Sequence, residues 1–331
     1  MKTAFIHVGM DKTGSKSIQR FYSGVSDYLF DQGFIYPTIN DLELGFFYNH
    51  TSWCSVLLSD DHFSDNSFEK FNGHDGHESA FSFTTDWFEK INNLVRNNYN
   101  HSIIISSEAF YSMPFYGILS LKKILERMGF SKFVVIFFVD SASNRYRGQT
   151  AQRIVSGAKI KPPHIQEIAH YISRYSKIFG NNSVTLVDYR RTRGDGGVIP
   201  RFSELVGLVH PKPATEINEN STLSAEALHL IHQIDLSGDP SGVIDRSYLV
   251  TKVALLDFST GLRCPLKLKR AIANAIDYFS KDYSVLIEKY KFDLVNVEYS
   301  DPLDVLQFST IPDIFEFDTA RYQLMLSSYN S

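Results

Sequence analysis

Cysteine is almost absent: Cys54 and Cys264 are the only two in 331 residues. Two thiols build neither a disulfide framework nor a thiolate metal cluster, so a reducing, cytoplasmic setting is expected. Charge of one sign is missing as well. The 33 Lys and Arg stand against 37 Asp and Glu, for a net charge of −4. That balance argues against a nucleic-acid surface and against a polyelectrolyte tail. Long hydrophobic runs are lacking: the longest is Phe133 to Val139, far short of the roughly 20 residues of a membrane span. The opening from Met1 to Val8 reads as a strand rather than a secretory leader. No Gly-x-Ser-x-Gly elbow follows a strand, which removes the common serine-hydrolase signature. Aromatics, by contrast, are plentiful, with 26 Phe and 18 Tyr. A Phe-rich core accounts for these, and sugar-facing aromatic surfaces are the other use for them.

The pattern of what remains is that of an α/β protein. Thr3 to Val8 is apolar and β-branched and ends at Gly9. Ser15 to Leu29 places Ile18, Phe21, Tyr22, Val25 and Leu29 on one helical face. Gly33 to Pro37 is a short second strand. Asp86 to Asn97 has a helical period. Ser102 to Glu108, Lys132 to Val139 and Ser183 to Tyr189 are further strands. The third of these five is apolar almost throughout at Ile103–Ile105, and the fourth reads as buried on both faces of a parallel sheet. Helices are expected over 119–128 and 145–155, and the chain turns mainly helical beyond Pro200, at 201–207, 224–234, 247–257 and 265–289. Alternation of strand and helix predicts a doubly wound, mainly parallel sheet in a three-layer sandwich, as one domain with an α/β core over 1–200 and a helical part over 201–331. The segment 62–85 reads as a long surface loop.

Between the first strand and the first helix lies Gly9-Met10-Asp11-Lys12-Thr13-Gly14-Ser15-Lys16-Ser17. A glycine-bearing turn at this place gathers backbone N–H groups and a helix N-terminus toward an anion. Two lysines and three hydroxyls add donors, so phosphate or sulfate recognition is expected of Gly9, Lys12, Thr13, Gly14, Ser15, Lys16 and Ser17. The alternative is a plain turn in which Gly supplies geometry and Ser or Thr caps the helix. Gly9 and Gly14 have the spacing of the nucleotide-kinase loop, but Lys16-Ser17 arrive one residue late for it. The dinucleotide Gly-x-Gly-x-x-Gly is absent.

Lys12-Thr13-Gly14-Ser15 resembles the Lys-Thr/Ser-Gly-Thr/Ser loop of the bacterial sulfotransferase-like family. The likeness extends to Gly33-Phe34-Ile35-Tyr36-Pro37, Asn49-His50, Ile104 to Glu108, Val187 to Arg190, Phe202 to Leu208 and Asn220 to Ser224. It implies the P-loop nucleoside triphosphate hydrolase-like fold. It also implies transfer of a sulfuryl group from 3′-phosphoadenosine 5′-phosphosulfate (PAPS), or a related adenosine phosphosulfate, to a hydroxyl of a carbohydrate or other small acceptor. In that family the loop lysine, here Lys12, helps the leaving phosphate depart. Glu108 and His50 are the candidate bases for the acceptor hydroxyl. No metal is expected: His74 and His77, with Asp75 between them, read as loop polarity.

The resemblance breaks where the family holds the 3′-phosphate. An Arg is expected at the end of the fourth strand and a Ser eight residues on; this chain has Asp140 and Gly148. An acid there repels a phosphate. Three readings stay open: Arg145, Arg147 or Arg153 substitutes from the following helix; the donor lacks a 3′-phosphate; or the protein keeps the fold without catalysis. An ATP-dependent phosphotransferase is the remaining alternative. Arg190, Arg191 and Arg193 form a short basic cluster read as a surface turn.

Overall fold

The computed structural model describes residues 2–38, 50, 89–163, 168–209, 223–237, 245–260, 266–280, 286, 288–290 and 310–330. The sequence expectations for 62–85, and the Asn49 partner of His50, lie outside them.

Five parallel strands form the sheet: β1 (Thr3–Val8), β2 (Phe34–Ile35), β3 (Ser102–Ser107), β4 (Lys132–Val139) and β5 (Val184–Asp188), in the order β2-β3-β1-β4-β5. β1 lies at the centre and is buried along its whole length. This is why its sequence reads apolar without alternation. The helices of this part of the chain are α1 (Ser15–Gly24), α2 (Ser26–Asp31), α3 (Phe115–Arg127), α5 (Ile168–Phe179), α6 (Tyr189–Gly194) and α7 (Val198–Val206), with α4 (Ala142–Val155) intervening in sequence. Residues 89–97 are also helical.

Alternate side chains of the strands face opposite layers. Phe5, Ile104, Ile136, Phe138 and Val187 pack with Ile18 and Tyr22 of α1 and with Val198, Ile199, Phe202 and Val206 of α7. On the other face, Phe137 meets Tyr175 of α5 edge-on at 5.4 Å and Phe133 meets Phe179 at 5.3 Å. α3 packs on α5, where Lys122 Nζ donates to the Ile178 carbonyl at 2.9 Å. The expected single helix from Ser15 to Leu29 is two. α1 ends at Gly24, Val25 leaves helical geometry with φ −119°, and α2 restarts at Ser26. Gly24 is a poor helix residue, and the chain turns there.

By packing, the chain divides into two compact units. The first is Met1–Val139 with Glu167–Ile217 and Val285–Val295; the second is Asp140–Gln166 with Asn218–Ser284 and Asn296–Ser331. The first holds the sheet. The second is helical and comprises α4, α8 (Ala225–Ser237), α9 (Arg246–Ser259), α10 (Arg270–Phe279), α11 (Ile311–Ile314) and α12 (Thr319–Asn330). Its centre is ionic. Arg321 of α12 donates to Glu226 Oε2 at 2.7 Å and to Asp257 Oδ1 at 2.6 Å, with all three side chains almost fully buried. Ser224 bonds the same Asp257 through both its N–H and its hydroxyl. Such a group is costly to desolvate, and its partners must all be present to offset that cost. Among the described residues, no helix is long and apolar enough to cross a membrane.

Candidate functional site

β1 and β3 are neighbours, with Val8 opposite Ser107, and the Gly9 N–H extends the ladder to the Ser107 carbonyl at 2.9 Å. From β1 the chain leaves into α1 on one face of the sheet. From β3 it continues into α3 on the other. The gap between their C-terminal ends is a topological switch point, where ligands of open parallel sheets bind.

The Gly9–Ser17 turn fills one side of this gap. A Cβ on Gly9 would lie 2.7 Å from Ser15 Oγ and 3.1 Å from Glu108 Cγ, so only glycine lets the two segments close up. Gly14 has φ +79°, and a Cβ there would meet Val198 at 2.9 Å and Tyr189 at 3.3 Å. Between the glycines, Lys12 has φ 67°, the only positive φ of a non-glycine among the described residues. A residue with a Cβ gives up about 1–2 kcal/mol in that conformation. Two of the expected hydroxyl donors face inward: Thr13 Oγ1 donates to the Met10 carbonyl at 2.8 Å and Ser15 Oγ to the same carbonyl at 3.3 Å. Both residues are buried. They brace the turn. α1 starts at Ser15 with Gly14 at the cap position, no side-chain cap and no acid in its first turn. The first-turn N–H groups of a helix have no partner within it. The groups left to meet an anion are therefore those N–H groups, Lys12, Lys16 and Ser17.

Glu108 follows β3 directly and lies over Gly9. Burial pushes its carboxyl pKa up and Asp11 adds to this, while Lys16 and Lys12 oppose it. Desolvation lowers the Lys12 ammonium, and Lys16 lowers it further, against Glu108 and Asp11. The Lys12 side chain as a whole still reaches the surface. Two cations and two carboxylates thus share one small region, a grouping found at sites that bind anions and move protons.

His50 is placed differently. It is fully buried, and burial drives its pKa down to about 4. The Ser106 N–H donates to Nδ1 at 2.8 Å, and Nε2 lies 2.8 Å from the Pro37 carbonyl. A backbone N–H only donates, so Nδ1 is the acceptor and Nε2 carries the proton. The lone pair that a base needs is already used. His50 N–H also bonds the Ser106 carbonyl at 2.9 Å. A second buried histidine, His7 on β1, bonds Ser106 Oγ through Nδ1 at 2.7 Å, and burial takes its pKa to about 3. The sequence reading passed over His7 because a histidine inside an apolar strand carries no motif.

Arg145 and Arg147 belong to α4, which falls in the second unit. Arg145 is buried, and Arg147 Nη1 reaches the Leu266 carbonyl at 3.4 Å. The N-terminus of α4 is filled by carboxylates. Asp140 Oδ1 accepts from the Ser141 N–H and from Asn144, at 2.7 and 2.9 Å. Asp277 accepts from both the N–H and the hydroxyl of Ser143 at 2.8 Å. That helix end therefore does not suit a ligand phosphate. Among the basic cluster, Arg191 pairs with Asp188 at 3.6 Å, and Asp188 caps α6.

No protein-family model matches the chain, and no curated protein matches it in sequence. Among solved structures, it is similar to the sulfotransferase from Alicyclobacillus acidocaldarius at 14% identity and a TM-score of 0.41, over 72% of this chain and 94% of that one. It is also similar to the sulfotransferase domain of the Synechococcus PCC 7002 olefin synthase at 15% identity and a TM-score of 0.31, over 89% and 96%. Likeness at these scores assigns no activity, and the fold stands on the strand order and register above.

Proposed function

We propose that the protein is a sulfotransferase that carries a sulfuryl group from an adenosine phosphosulfate of the PAPS type to a hydroxyl of a carbohydrate or other small acceptor. The observation that carries this reading is Lys12, held at φ 67° between Gly9 and Gly14, beside an uncapped helix start. Strain of that kind persists where function requires it. In this reading the first-turn N–H groups of α1, with Lys16 and Ser17, bind the phosphate end of the donor. The donor supplies the sulfuryl group and a phosphate leaving group. Glu108 takes the proton from the acceptor hydroxyl, whose oxygen bonds to sulfur as the sulfur–oxygen bond to phosphate breaks. Lys12 stabilises the charge that develops on the departing phosphate. The raised pKa of Glu108 brings it nearer to a working general base. His50 serves as a brace for β3.

A second reading is supported by Asp140, which stands where the resembled family has an arginine and whose carboxylate accepts from Ser141 and Asn144: the donor lacks a 3′-phosphate. Turnover with PAPS and with adenosine 5′-phosphosulfate, each with a mixture of saccharides, separates the two by which adenosine phosphate is released. Release that Lys12→Ala abolishes is the expected result. No release from either donor, or release indifferent to Lys12, contradicts the proposal.

A further inference from the structure

Glu108 starts a turn whose far side is aromatic. The Tyr111 N–H bonds the Glu108 carbonyl at 3.1 Å, which closes a four-residue turn. In such a turn the first and last Cα atoms lie less than about 7 Å apart. One face of α5 grips this segment at three points. Tyr175 Oη donates to the Phe110 carbonyl at 2.6 Å, Arg174 Nη1 donates to the Met113 carbonyl at 3.2 Å, and the Tyr171 ring lies 4.6 Å from the Tyr111 ring. Arg174 also stands 4.9 Å over the Tyr171 ring and donates from Nη2 to His170 Nε2 at 2.9 Å. Just beyond, the first turn of α3 leaves Phe115 48% and Tyr116 41% exposed.

We propose that Tyr111 and Tyr171, steadied by Arg174, form the acceptor wall of this site and take a pyranose ring. The proposal rests on the sulfotransferase reading, since it assigns Glu108 as the base. A pyranose has an apolar C–H face and a rim of hydroxyls. The wall matches both, with two half-buried aromatic rings at the centre and the Arg174 guanidinium and His170 imidazole beside them. Its anchorage is rigid, because three consecutive contacts from one helix hold it. A ring resting on this wall is delivered within a turn's reach of Glu108. Arg174 acts through the ring it stacks on and the carbonyl it bonds, so it is a positioning residue.

The test is equilibrium binding of maltotriose, cellotriose and chitotriose to the whole protein by calorimetry. Native protein is expected to bind at least one of them. Tyr171→Ala weakens that binding about tenfold or more, while Tyr171→Phe, which keeps the ring, weakens it less. Binding of adenosine 3′,5′-bisphosphate, measured on the same samples, is expected to be unchanged in both variants. This control shows that the fold is intact and separates failure of the wall from failure of the nucleotide site. The proposal is overturned if no trisaccharide binds at about 10 mM, if Tyr171→Ala leaves saccharide binding as it was, or if 4-nitrophenol binds the wall and the saccharides do not.

Discussion

Lys12 combines two roles that separate variants can pull apart. Its backbone is strained and its ammonium is the cation assigned to the leaving phosphate. Lys12→Ala removes the charge and keeps the strain, whereas Lys12→Gly removes both. The glycine variant is expected to be about 1 kcal/mol more stable than the alanine variant, with both equally poor at binding nucleotide; equal stability in urea titrations would speak against strain at this residue. Gly14→Ala is the converse. At φ +79°, with Val198 at 2.9 Å, it is expected to cost about 1–3 kcal/mol. For Glu108, the raised pKa sets the acid limb of the rate profile above the ordinary 4.5. Activity rises with pH through that limb, and Glu108→Gln removes it. A limb that survives the substitution assigns the proton to another group. That Lys12 and Gly14 lie in the turn after β1, and Glu108 just past β3, was legible in the sequence because the apolar runs before them mark where each strand ends. The fate of the hydroxyls was not: Thr13 and Ser15 look like ligand donors until the Met10 carbonyl is seen to occupy them.

At the scale of elements, Ser106 joins β3 to both buried histidines. His7 and His50 have folded-state pKa values of about 3 and about 4, below the ordinary 6.5. The unfolded chain therefore binds protons that the folded one refuses as pH falls below 6.5. Stability is full above that pH and declines toward 4, by up to about 1.4 kcal/mol per pH unit for each histidine. Glu108, with its raised pKa, opposes this decline just above pH 4.5. Urea midpoints at pH 7 and pH 5.5 check it: a lower midpoint at pH 5.5 is expected, with a smaller drop in His50→Gln. A flat profile would mean the histidines accept protons without unfolding. The strands were readable because burial on both faces leaves near-continuous apolar runs, and β4 is observed over Lys132–Val139 as its sequence predicts. Helix α5 was missed although Ile168, Ile172, Tyr175 and Phe179 recur at helical spacing, with Ser173, Arg174 and Lys177 on the opposite face; its role in holding the Glu108–Met113 segment is a long-range contact that carries no motif. Helix α12 was missed for a different reason: its anchor is Arg321, a charge, and periodicity counts charges as surface.

For the whole molecule, the two units draw on different forces. The first rests on apolar layers about a sheet. The second rests in part on one arginine shared by two buried carboxylates. Arg321→Leu strands Glu226 and Asp257 and is expected to cost about 3–5 kcal/mol. Hydrogen exchange is expected to show protection lost in α8, α9 and α12 while β1, β3 and β4 keep theirs. Equal loss across both sets would mean that the units do not unfold separately. The sequence put the helical part after residue 200. That α4 joins it from mid-chain is a matter of long-range packing, which local pattern does not encode. The central claim is that the turn after β1 holds the phosphate end of a nucleotide through Lys12. Calorimetric titration of native and Lys12→Ala protein with adenosine 3′,5′-bisphosphate, adenosine 5′-monophosphate and ATP tests it most directly. Native protein is predicted to bind one of the two adenosine phosphates more tightly than ATP, and Lys12→Ala to weaken that binding about tenfold or more at an unchanged unfolding midpoint. Absence of nucleotide binding, or binding that ignores Lys12, would contradict the account.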